Sequence, residues 1–348
     1  MTQPPPPPRW FGPRVSTDDP AVAALIDRLA VEAEWADIGG GFNLNVRIDT
    51  VPPTVLRVHR PWPTRRRVAG LRRLRERLVG AGVHVARPIA MLGHDVVRVG
   101  DRWAELEDFV PHIQPAASQE SYVRLFEELG RLHAGLRAVW EPGPPEPLDD
   151  HRTVRQLRYW LGFTRRRLGT AADAVVTRAG HLLDQLAAAR KGVELPRAPI
   201  HGDYKLGNAV ALENGSWANL DLDFVRVRER IYDVAGSLYW AVESGAELDR
   251  PLLLEAYDRT APEPLTADET RLLPTALTWI PLHWVATAGF IGGVPEAERA
   301  LAAAEAWWSR REDLSWYPER PSQVTGRWLS RCFEARAECR RGVEASAV

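Results

Sequence analysis

Apolar residues recur with a helical period through most of the chain after about residue 108. The clearest stripe places on one helix face Tyr122, Leu125, Phe126, Leu129, Leu132 and Leu136. The same spacing predicts helices over Arg152–Leu168 and Ala171–Leu186, and more helices from Tyr232 to the end, one of them opening at Asp268. We therefore expect this part of the chain to be mainly helical.

The residues before this point show mostly short strand patterns. Helical spacing predicts only a helix from Pro20 to Trp35 and a basic helix from Arg65 to Val79 that Gly82 ends. Alternation of apolar and polar residues predicts strands at Phe42–Ile48, Val55–Val58, Val83–Leu92, Asp95–Val99 and Trp103–Val110. Short turns separate most of these strands, which favours a small antiparallel sheet.

The two patterns together predict an α+β fold with two lobes. A small antiparallel-sheet lobe is expected at 15–107 and a larger, mainly helical lobe at 108–348. Strand patterns return once in the helical lobe, in an island from Pro199 to Phe224. Residues 1–14 include the run Pro4 to Pro8 and are expected to form a disordered tail.

Composition narrows the class of protein. A chain of 348 residues with 45% hydrophobic residues can bury a substantial core, and a formal net charge of −1 argues against a nucleic-acid partner. No run is apolar enough to span a membrane, and the N-terminus has no signal-peptide pattern, so we expect a cytoplasmic protein without a membrane partner. Cys332 and Cys339 lie two turns apart on a predicted helix, about 10 Å, which is too far for a disulfide.

The residues suited to chemistry concentrate in the strand island. It begins with Ile200-His201-Gly202-Asp203-Tyr204-Lys205-Leu206-Gly207-Asn208 and continues to Asn219-Leu220-Asp221-Leu222-Asp223-Phe224. Phosphoryl transfer needs one carboxylate beside the attacking hydroxyl, and oxygen ligands that hold Mg²⁺ on the nucleotide phosphates. Asp203 and Asn208 supply an acid and an amide oxygen from one loop, and Asp221, between apolar residues on a predicted strand, supplies a second acid.

The spacing within this loop is also that of the protein-kinase catalytic loop, His-x-Asp-x-x-x-x-Asn. Lys205 follows Asp203 by two residues and is one of only two lysines, the other being Lys191. From that position an ammonium group can reach the transferring phosphoryl group and neutralise charge in the transition state.

These motifs resemble those of the aminoglycoside phosphotransferase family, the kinase-like group that includes choline and homoserine kinases. The family pattern of His-Gly-Asp, Asn, a second Asp and a later Asp-Val-Ala falls here on Asp203, Asn208, Asp221 and Asp233. The segments Leu129–His133 and Leu252–Thr270 also resemble the family, and the resemblance covers roughly residues 35 to 285.

The resemblance implies a bilobal protein-kinase-like fold and an ATP- and Mg²⁺-dependent phosphotransferase. Asp203 would be the catalytic base, and Asn208 and Asp221 would bind Mg²⁺. His201 and Asp233 would brace the loop through hydrogen bonds. The γ-phosphate of the nucleotide would pass to a hydroxyl of a small molecule such as an antibiotic, a sugar or an amino alcohol.

A nucleotide site is expected in the sheet lobe. Glycines allow a close approach of the backbone to phosphates, so we expect the turn with Gly40 and Gly41 to cover them, together with Asn43 and Asn45. The lobe has no lysine, and Arg57 is the best substitute for the strand lysine of kinases, since a guanidinium keeps its charge and grips phosphate with two donors.

Two further nucleotide-side expectations concern the partner of Arg57 and the hinge. Glu76 is the only acid in the basic helix and is the candidate partner of Arg57. Backbone groups of Glu107 and Phe109 would bond the adenine edge, and the identity of their side chains would matter little.

The acceptor site is less specified. Asp223, Tyr159 and Trp240 are candidates to contact the acceptor, because aromatic walls and an acid suit an amine-bearing molecule. Arg226, Arg228 and Arg230 replace a small, acidic stretch of many relatives, which argues against a polycationic aminoglycoside. Two alternatives stay open: a kinase acting on Ser or Thr of a peptide, and a nucleotide-binding scaffold whose active site has lapsed.

Overall fold

The structure is a computed structural model and describes residues 14–141 and 153–312. Its strands are β1 Trp35–Gly39, β2 Leu44–Ile48, β3 Thr54–Val58, β4 Pro88–Ile89, β5 Val97–Val99, β6 Arg102–Asp108, β7 Arg197–Ile200, β8 Ala209–Ala211, β9 Trp217–Asn219 and β10 Arg226–Glu229. Its helices are α1 Pro20–Leu29, α2 Arg65–Gly80, α3 Gln119–Val139, α4 Val154–Leu168, α5 Asp173–Ala189, α6 Ile231–Glu243, α7 Arg250–Thr260, α8 Ala267–Ile291 and α9 Val294–Ser309.

The first strands form one antiparallel sheet, as the alternation pattern predicts. The strand order is β1-β2-β3-β6-β4, and β5 also pairs with β6. The inner residues of β2 and β3, among them Leu44, Val46 and Leu56, are fully buried and pack with Val22 and Ile26 of α1. This register places Arg57 opposite Asn45 on one side and Glu105 on the other.

The predicted first helix is too long. It ends at Leu29 instead of Trp35, because Trp35 pairs with Ile48 as the first residue of β1. Glu32 takes a left-handed backbone conformation, φ 62°, in the turn between helix and strand. Sheet pairing here outweighs the helical spacing of the apolar residues.

The predicted strand over Val83–Leu92 is also wrong in extent, since only Pro88 and Ile89 pair with β6. Val85 instead forms a bridge to Asn219, which joins this segment to the catalytic region. The predicted strands at 95–99 and 103–110 shift to β5 and β6, and the basic helix is confirmed as α2.

The rest of the described chain is mainly helical. The stripe on α3 is confirmed, since its six apolar residues are 0 to 3% exposed and face the main core. The long helix α8 lies at the centre and packs against α4, α6 and α9. Arg228 and Arg230, with Arg226, are buried and do not form a basic surface; Arg230 pairs with Glu269 through both of its carboxylate oxygens, at 2.8 and 2.9 Å.

The strand island forms two short antiparallel pairs, β7 with β10 and β8 with β9. Asp221 does not lie on a strand, contrary to the prediction. It follows β9 in a left-handed conformation, φ 58°, and precedes a 3₁₀ turn at Leu222–Phe224. An aspartate tolerates this conformation better than most residues because its short side chain bonds locally.

Some predictions fall on other parts of the chain. The helix with Cys332 and Cys339 lies outside the described residues, and so does the predicted tail except for Arg14. Arg14 donates from Nε to the carbonyl of Asn43 at 3.1 Å and pairs with Asp37. Within residues 14–141 and 153–312, no helix combines the length and the apolar content that a membrane crossing requires.

Candidate active site

The catalytic loop follows β7 and passes close to the 3₁₀ turn. Gly202 has φ +85°, and a Cβ built on it would lie 2.5 Å from the carbonyl oxygen of Phe224. Both facts require glycine, because a side chain would strain the backbone and collide with the turn. The close approach brings Asp203 to the same side of the molecule as Asp221 and Asp223.

Asp233, in the first turn of α6, accepts the backbone hydrogen bonds of this loop. Its carboxylate accepts from the N–H groups of His201 at 2.6 Å and Gly202 at 2.7 Å. His133 of α3 adds a contact from Nε2 at 3.0 Å, and its Nδ1 lies 2.9 Å from the hydroxyl of Tyr257. Burial raises the pKa of Asp233, but His133, His201 and the Gly202 N–H together hold it below its ordinary value. The carboxylate is therefore ionised and fixed.

The ring of His201 ties the loop to the strand that leads to Asp221. Nε2 lies 2.9 Å from the Leu220 carbonyl, to which it must donate, and Nδ1 then accepts from the N–H of Asp203 at 3.3 Å. The contacts of His201 are thus those of a residue that holds Asp203 and Asp221 in one arrangement.

Asp203 lies beside two polar side chains of the same loop, Lys205 and Asn208. Lys205 Nζ lies 2.7 Å from Asp203 Oδ2, and the two side chains are 25% and 24% exposed, so both are within reach of a ligand. Lys205 also lies over the ring of Trp240, 5.2 Å from its centroid. Asn208 donates from Nδ2 to the carbonyl of Asp203 at 2.7 Å and to Oδ2 at 3.2 Å.

Asn208 and Asp221 are brought together by the β8–β9 pair. The N–H of Leu220 donates to the carbonyl of Asn208 at 2.7 Å, which places Asp221 next in the chain beside it. Because the amide nitrogen of Asn208 faces Asp203, its oxygen is the atom that can bind a cation. An amide oxygen and a carboxylate are hard ligands that fit Mg²⁺ held jointly with phosphates. The described residues contain no group of three or more His, Cys, Asp or Glu that could hold a metal ion.

Arg57 of β3 crosses from the sheet to these acids. It pairs with Asp221 and lies 3.0 Å from Asp223 Oδ2, with a side chain only 10% exposed. Burial lowers the pKa of Arg57, but Asp223 and Asp221 outweigh burial and hold it well above its ordinary value. A cation at the strand position expected for the kinase lysine is therefore present and charged.

Glu76 does not pair with Arg57, contrary to the prediction. It is exposed on α2, whose buried face carries Arg72 and Arg75 instead. Arg75 pairs with Glu105 and Glu107 of β6, so the acids near Arg57 come from the neighbouring strand. Spacing could not reveal this, because the acids and the arginines belong to elements that only the fold brings together.

The glycine turn is closed by its own asparagines. Asn45 Nδ2 donates to the Gly39 carbonyl at 2.8 Å, and a Cβ on Gly40 would lie 2.6 Å from that nitrogen, whereas Gly41 faces open space. Asn43 donates to Asp223 Oδ2 at 2.6 Å and accepts from the N–H of Arg60 at 3.0 Å. The amide of Asn43 thus links the sheet to the catalytic turn, and its contacts are to protein at both ends.

The hinge differs from the prediction in two respects. The N–H of Phe109 already donates to the carbonyl of Pro53 at 3.1 Å, as a continuation of the β3–β6 pair, so it is not offered to a ligand in this structure. The side chain of Glu107 is buried in an ion pair with Arg75, and its identity therefore matters to the sheet.

A cavity opens beside Asp203 on the helical side. Its lining includes Trp240 together with His283 and Trp284 of α8. Tyr159 lies elsewhere: its side chain on α4 is 58% exposed, stacks edge-on against Trp160 and is not part of this lining. The polar residues that sequence reasoning missed, His59, Arg60 and Glu105, gave no signal because their partners are distant in sequence.

Comparison with known proteins places this site in context. The sequence model of the phosphotransferase enzyme family matches residues 34–269. No curated protein sequence matches the chain.

Among solved structures, the chain resembles an amicoumacin kinase in complex with AMP-PNP, Ca²⁺ and Ami, with a TM-score of 0.65, 13% identity, and coverage of 88% of this chain and 96% of that one. A microcompartment-associated aminopropanol kinase has a TM-score of 0.64 and 17% identity, with coverage of 84% of this chain and 98% of that one. A choline kinase from Cryptosporidium parvum has a TM-score of 0.61 and 13% identity, with coverage of 85% of this chain and 96% of that one.

These likenesses confirm the predicted bilobal kinase-like fold, with a small antiparallel-sheet lobe and a larger helical lobe. The family match spans both the sheet that carries Arg57 and the loop that carries Asp203. The predicted relationship is therefore confirmed, and the chain belongs to the phosphotransferase enzyme family.

Proposed function

We propose that this protein transfers the γ-phosphate of ATP to a hydroxyl group of a small molecule. The observation that carries the proposal is the arrangement around Asp203: an accessible carboxylate beside Lys205 and Asn208, at the edge of a cavity, with Asp221 held close by. Family membership supports the same reaction.

In this reaction the acceptor oxygen forms a bond to the γ-phosphorus as the bond from that phosphorus to the ADP oxygen breaks. ADP leaves with the electron pair, and the hydroxyl proton passes to the carboxylate of Asp203. Lys205, 2.7 Å from this carboxylate, supplies a positive charge on the side where the phosphoryl group moves.

Mg²⁺ would be held by the amide oxygen of Asn208 and the carboxylate of Asp221, and it would neutralise charge on the phosphates. Arg57 lies against the same carboxylate and would add a second cation at the nucleotide. A neighbour of this fold was solved with AMP-PNP and Ca²⁺, which supports the use of a nucleotide with a divalent ion.

The lobes divide the work in this proposal. The sheet lobe, 15–107, binds the nucleotide through the glycine turn with Gly40 and Gly41 and through Arg57. The helical lobe, 108–348, contributes the catalytic loop and the acceptor site. Trp240 lines the cavity beside Asp203 and is the acceptor-site residue best placed to contact a bound small molecule.

The acceptor is proposed to be an amine-bearing alcohol or a hydroxylated natural product. Aromatic side chains line the cavity, and a ring face attracts a cationic amine. The named neighbours include an aminopropanol kinase, a choline kinase and an amicoumacin kinase, and these support an acceptor of this size.

The decisive test is Asp203→Asn, which keeps the shape of the side chain but removes the base. We expect turnover to fall by about 10²- to 10⁴-fold while the affinity for AMP-PNP stays within about 3-fold. Transfer is measured by mass spectrometry with ATP, Mg²⁺ and a panel of amino alcohols, hydroxylated antibiotics and Ser/Thr peptides. Nucleotide binding is measured by calorimetry.

The matched control is Asp184→Asn, which removes an exposed carboxylate paired with Arg158 far along the helical lobe. Undiminished transfer by Asp203→Asn would contradict the assigned base. Phosphate on peptides alone would favour a peptide kinase, and tight AMP-PNP binding by the wild type without any transfer would favour a scaffold.

A further inference from the structure

Arg60 occupies an unusual position just after β3. The residue is only 6% exposed, yet it lies between the glycine turn and the catalytic turn. Its guanidinium carbon is 4.3 Å from the ring centroid of Phe42, which follows the glycines, and 4.9 Å from that of Phe224, which follows Asp223. The same guanidinium carbon is 5.6 Å from the ring centroid of Trp62.

In the described part of the chain, the Arg60 guanidinium has aromatic neighbours and no carboxylate paired with it. Within the described residues, no carboxylate forms an ion pair with it and no carbonyl accepts a hydrogen bond from it, and Nε is buried without a partner. The backbone N–H of Arg60 donates to Asn43 Oδ1 at 3.0 Å.

Other buried arginines between sheet, α2 and catalytic turn have oxygen partners for a terminal guanidinium nitrogen, although in the described residues the Nε atoms of Arg57 and Arg75 lack a hydrogen-bond partner, as that of Arg60 does. Arg57 pairs with Asp221 and Asp223, and Arg75 pairs with Glu105 and Glu107. Arg67 donates from Nη2 to the carbonyls of Asp223 at 2.6 Å and Val225 at 3.0 Å. Among the residues that the structure describes, the Arg60 guanidinium thus differs from its neighbours in lacking an oxygen acceptor.

A buried cation without a counterion is costly, and contacts with aromatic rings offset only part of that cost. Burial holds the pKa of Arg60 below its ordinary value, although Asp223, Asp221 and Asp203 act in the opposite direction. These acids are close enough to act on the Arg60 guanidinium electrostatically, but none of them forms an ion pair with it in the described residues. An anion that also meets the metal site would supply the missing partner of Arg60.

A phosphate group has the charge and shape for this position. The planar fork of a guanidinium matches phosphate oxygens, and the rings of Phe42 and Phe224 hold the fork in place. The adjacent elements are the turn expected to cover the nucleotide phosphates and the loop that carries the base.

We propose that Arg60 binds the transferring γ-phosphoryl group of the nucleotide and stabilises its charge during transfer. The inference rests on the proposed kinase function and adds a catalytic cation to Lys205 and Arg57. Arg57 is already paired with the acid proposed to hold the metal, whereas Arg60 has its guanidinium unpaired and next to the catalytic loop.

The test is the affinity of Arg60→Met for two nucleotides, AMP-PNP and ADP, measured by calorimetry with Mg²⁺. A group that contacts only the γ-phosphate predicts at least about a 10-fold loss for AMP-PNP and less than a 2-fold change for ADP. We also expect kcat to fall by about 100-fold or more. Arg60→Lys keeps the charge but not the planar fork, so its affinity for AMP-PNP and its kcat should lie between those of the wild type and those of Arg60→Met.

The matched control is Arg98→Met, which removes an exposed arginine over Trp103 in the same lobe and should change neither affinity. Equal losses for AMP-PNP and ADP, or none, in a folded Arg60→Met protein would overturn the assignment. If circular dichroism shows that Arg60→Met is unfolded, the same ratio measured on Arg60→Lys decides. A wild type that binds neither nucleotide would instead overturn the kinase proposal itself.

Discussion

Single residues hold the catalytic loop in one backbone conformation. Gly202 permits a backbone conformation and a contact with the Phe224 carbonyl that no side chain could share, and Asp233 then occupies the N–H groups of His201 and Gly202. Asp203 consequently projects from a braced turn. A preorganised carboxylate avoids the cost of ordering the loop when a ligand binds.

The strongest residue-scale prediction concerns Gly202→Ala. The new methyl group would lie 2.5 Å from a backbone oxygen, so the loop must shift away from the 3₁₀ turn. We expect kcat to fall by more than about 10-fold, and the free energy of unfolding to drop by about 2 kcal/mol more than in the control. Phosphate transfer and urea unfolding measure the two effects.

The control is Gly215→Ala in the β8–β9 turn. Gly215 has a similar left-handed φ of +79°, but a Cβ there would meet no atom within 4 Å. It isolates the backbone strain, about 1 to 2 kcal/mol, and should leave kcat unchanged. Equal kinetics in the two alanine variants would show that the contact with Phe224 is unimportant.

At the scale of elements, ends and faces of helices do the positioning. The helix α8 starts with a capping box, in which Thr266 and Glu269 bond each other's backbone N–H groups. Glu269 also accepts from Arg230, which is buried after β10. One carboxylate thereby joins the start of the central helix to the strand that follows the catalytic turn.

Glu269 both caps α8 and pairs with Arg230, and two substitutions separate these roles. Glu269→Gln keeps a side-chain acceptor for the helix end but leaves Arg230 buried without its counterion, so we expect a loss of about 3 to 5 kcal/mol in unfolding free energy. Thr266→Ala removes only the cap and should cost about 1 kcal/mol. Chemical denaturation followed by circular dichroism compares them, and similar costs would contradict the importance of the ion pair.

At the scale of the whole molecule, buried charges connect the two lobes. Arg67 of α2 donates to the backbone of the catalytic turn, Asn43 contacts Asp223, and Arg57 pairs with Asp221. Behind them, Glu105 lies between Arg75 and His59, 3.0 Å from the His59 Nε2. Folding must preserve this set of charges as a unit, because each buried group depends on a partner from another element.

The pH dependence of stability follows from Glu105. Burial raises its pKa, but Arg75 and His59 outweigh burial and lower the pKa to about 2 in the folded protein. A depressed folded pKa stabilises the protein above the unfolded value of about 4.3, and the stability is lost as the pH falls from there towards 2. Glu105→Gln should therefore cost about 3 to 5 kcal/mol at pH 6 and progressively less below pH 4.

Urea unfolding of the wild type and Glu105→Gln between pH 6 and pH 2.5 measures this convergence. The surface variant Glu213→Gln is the control, since Glu213 is exposed in the β8–β9 turn and its replacement should change stability by less than about 0.5 kcal/mol. A penalty for Glu105→Gln that stays constant over the acid range would contradict the assigned cause.

The sequence by itself determined the family and the two-lobe fold, and it supplied the motif on which the proposed catalytic loop rests. Helical and alternating periods are local properties, and Asp203, Asn208 and Asp221 lie close enough in sequence for a motif to hold them. The strand that carries Arg57 was predicted from the same kind of local pattern.

Only the tertiary structure decided which charged groups meet. Arg57 with Asp221 and Asp223, and Arg60 with Phe224, join residues more than a hundred positions apart. Glu76 is excluded because it lies on the exposed face of α2. Ion pairing across the lobes depends on burial and distance, because a charged side chain needs a charged or polar partner only where it has lost its contact with water. No local pattern carries that information.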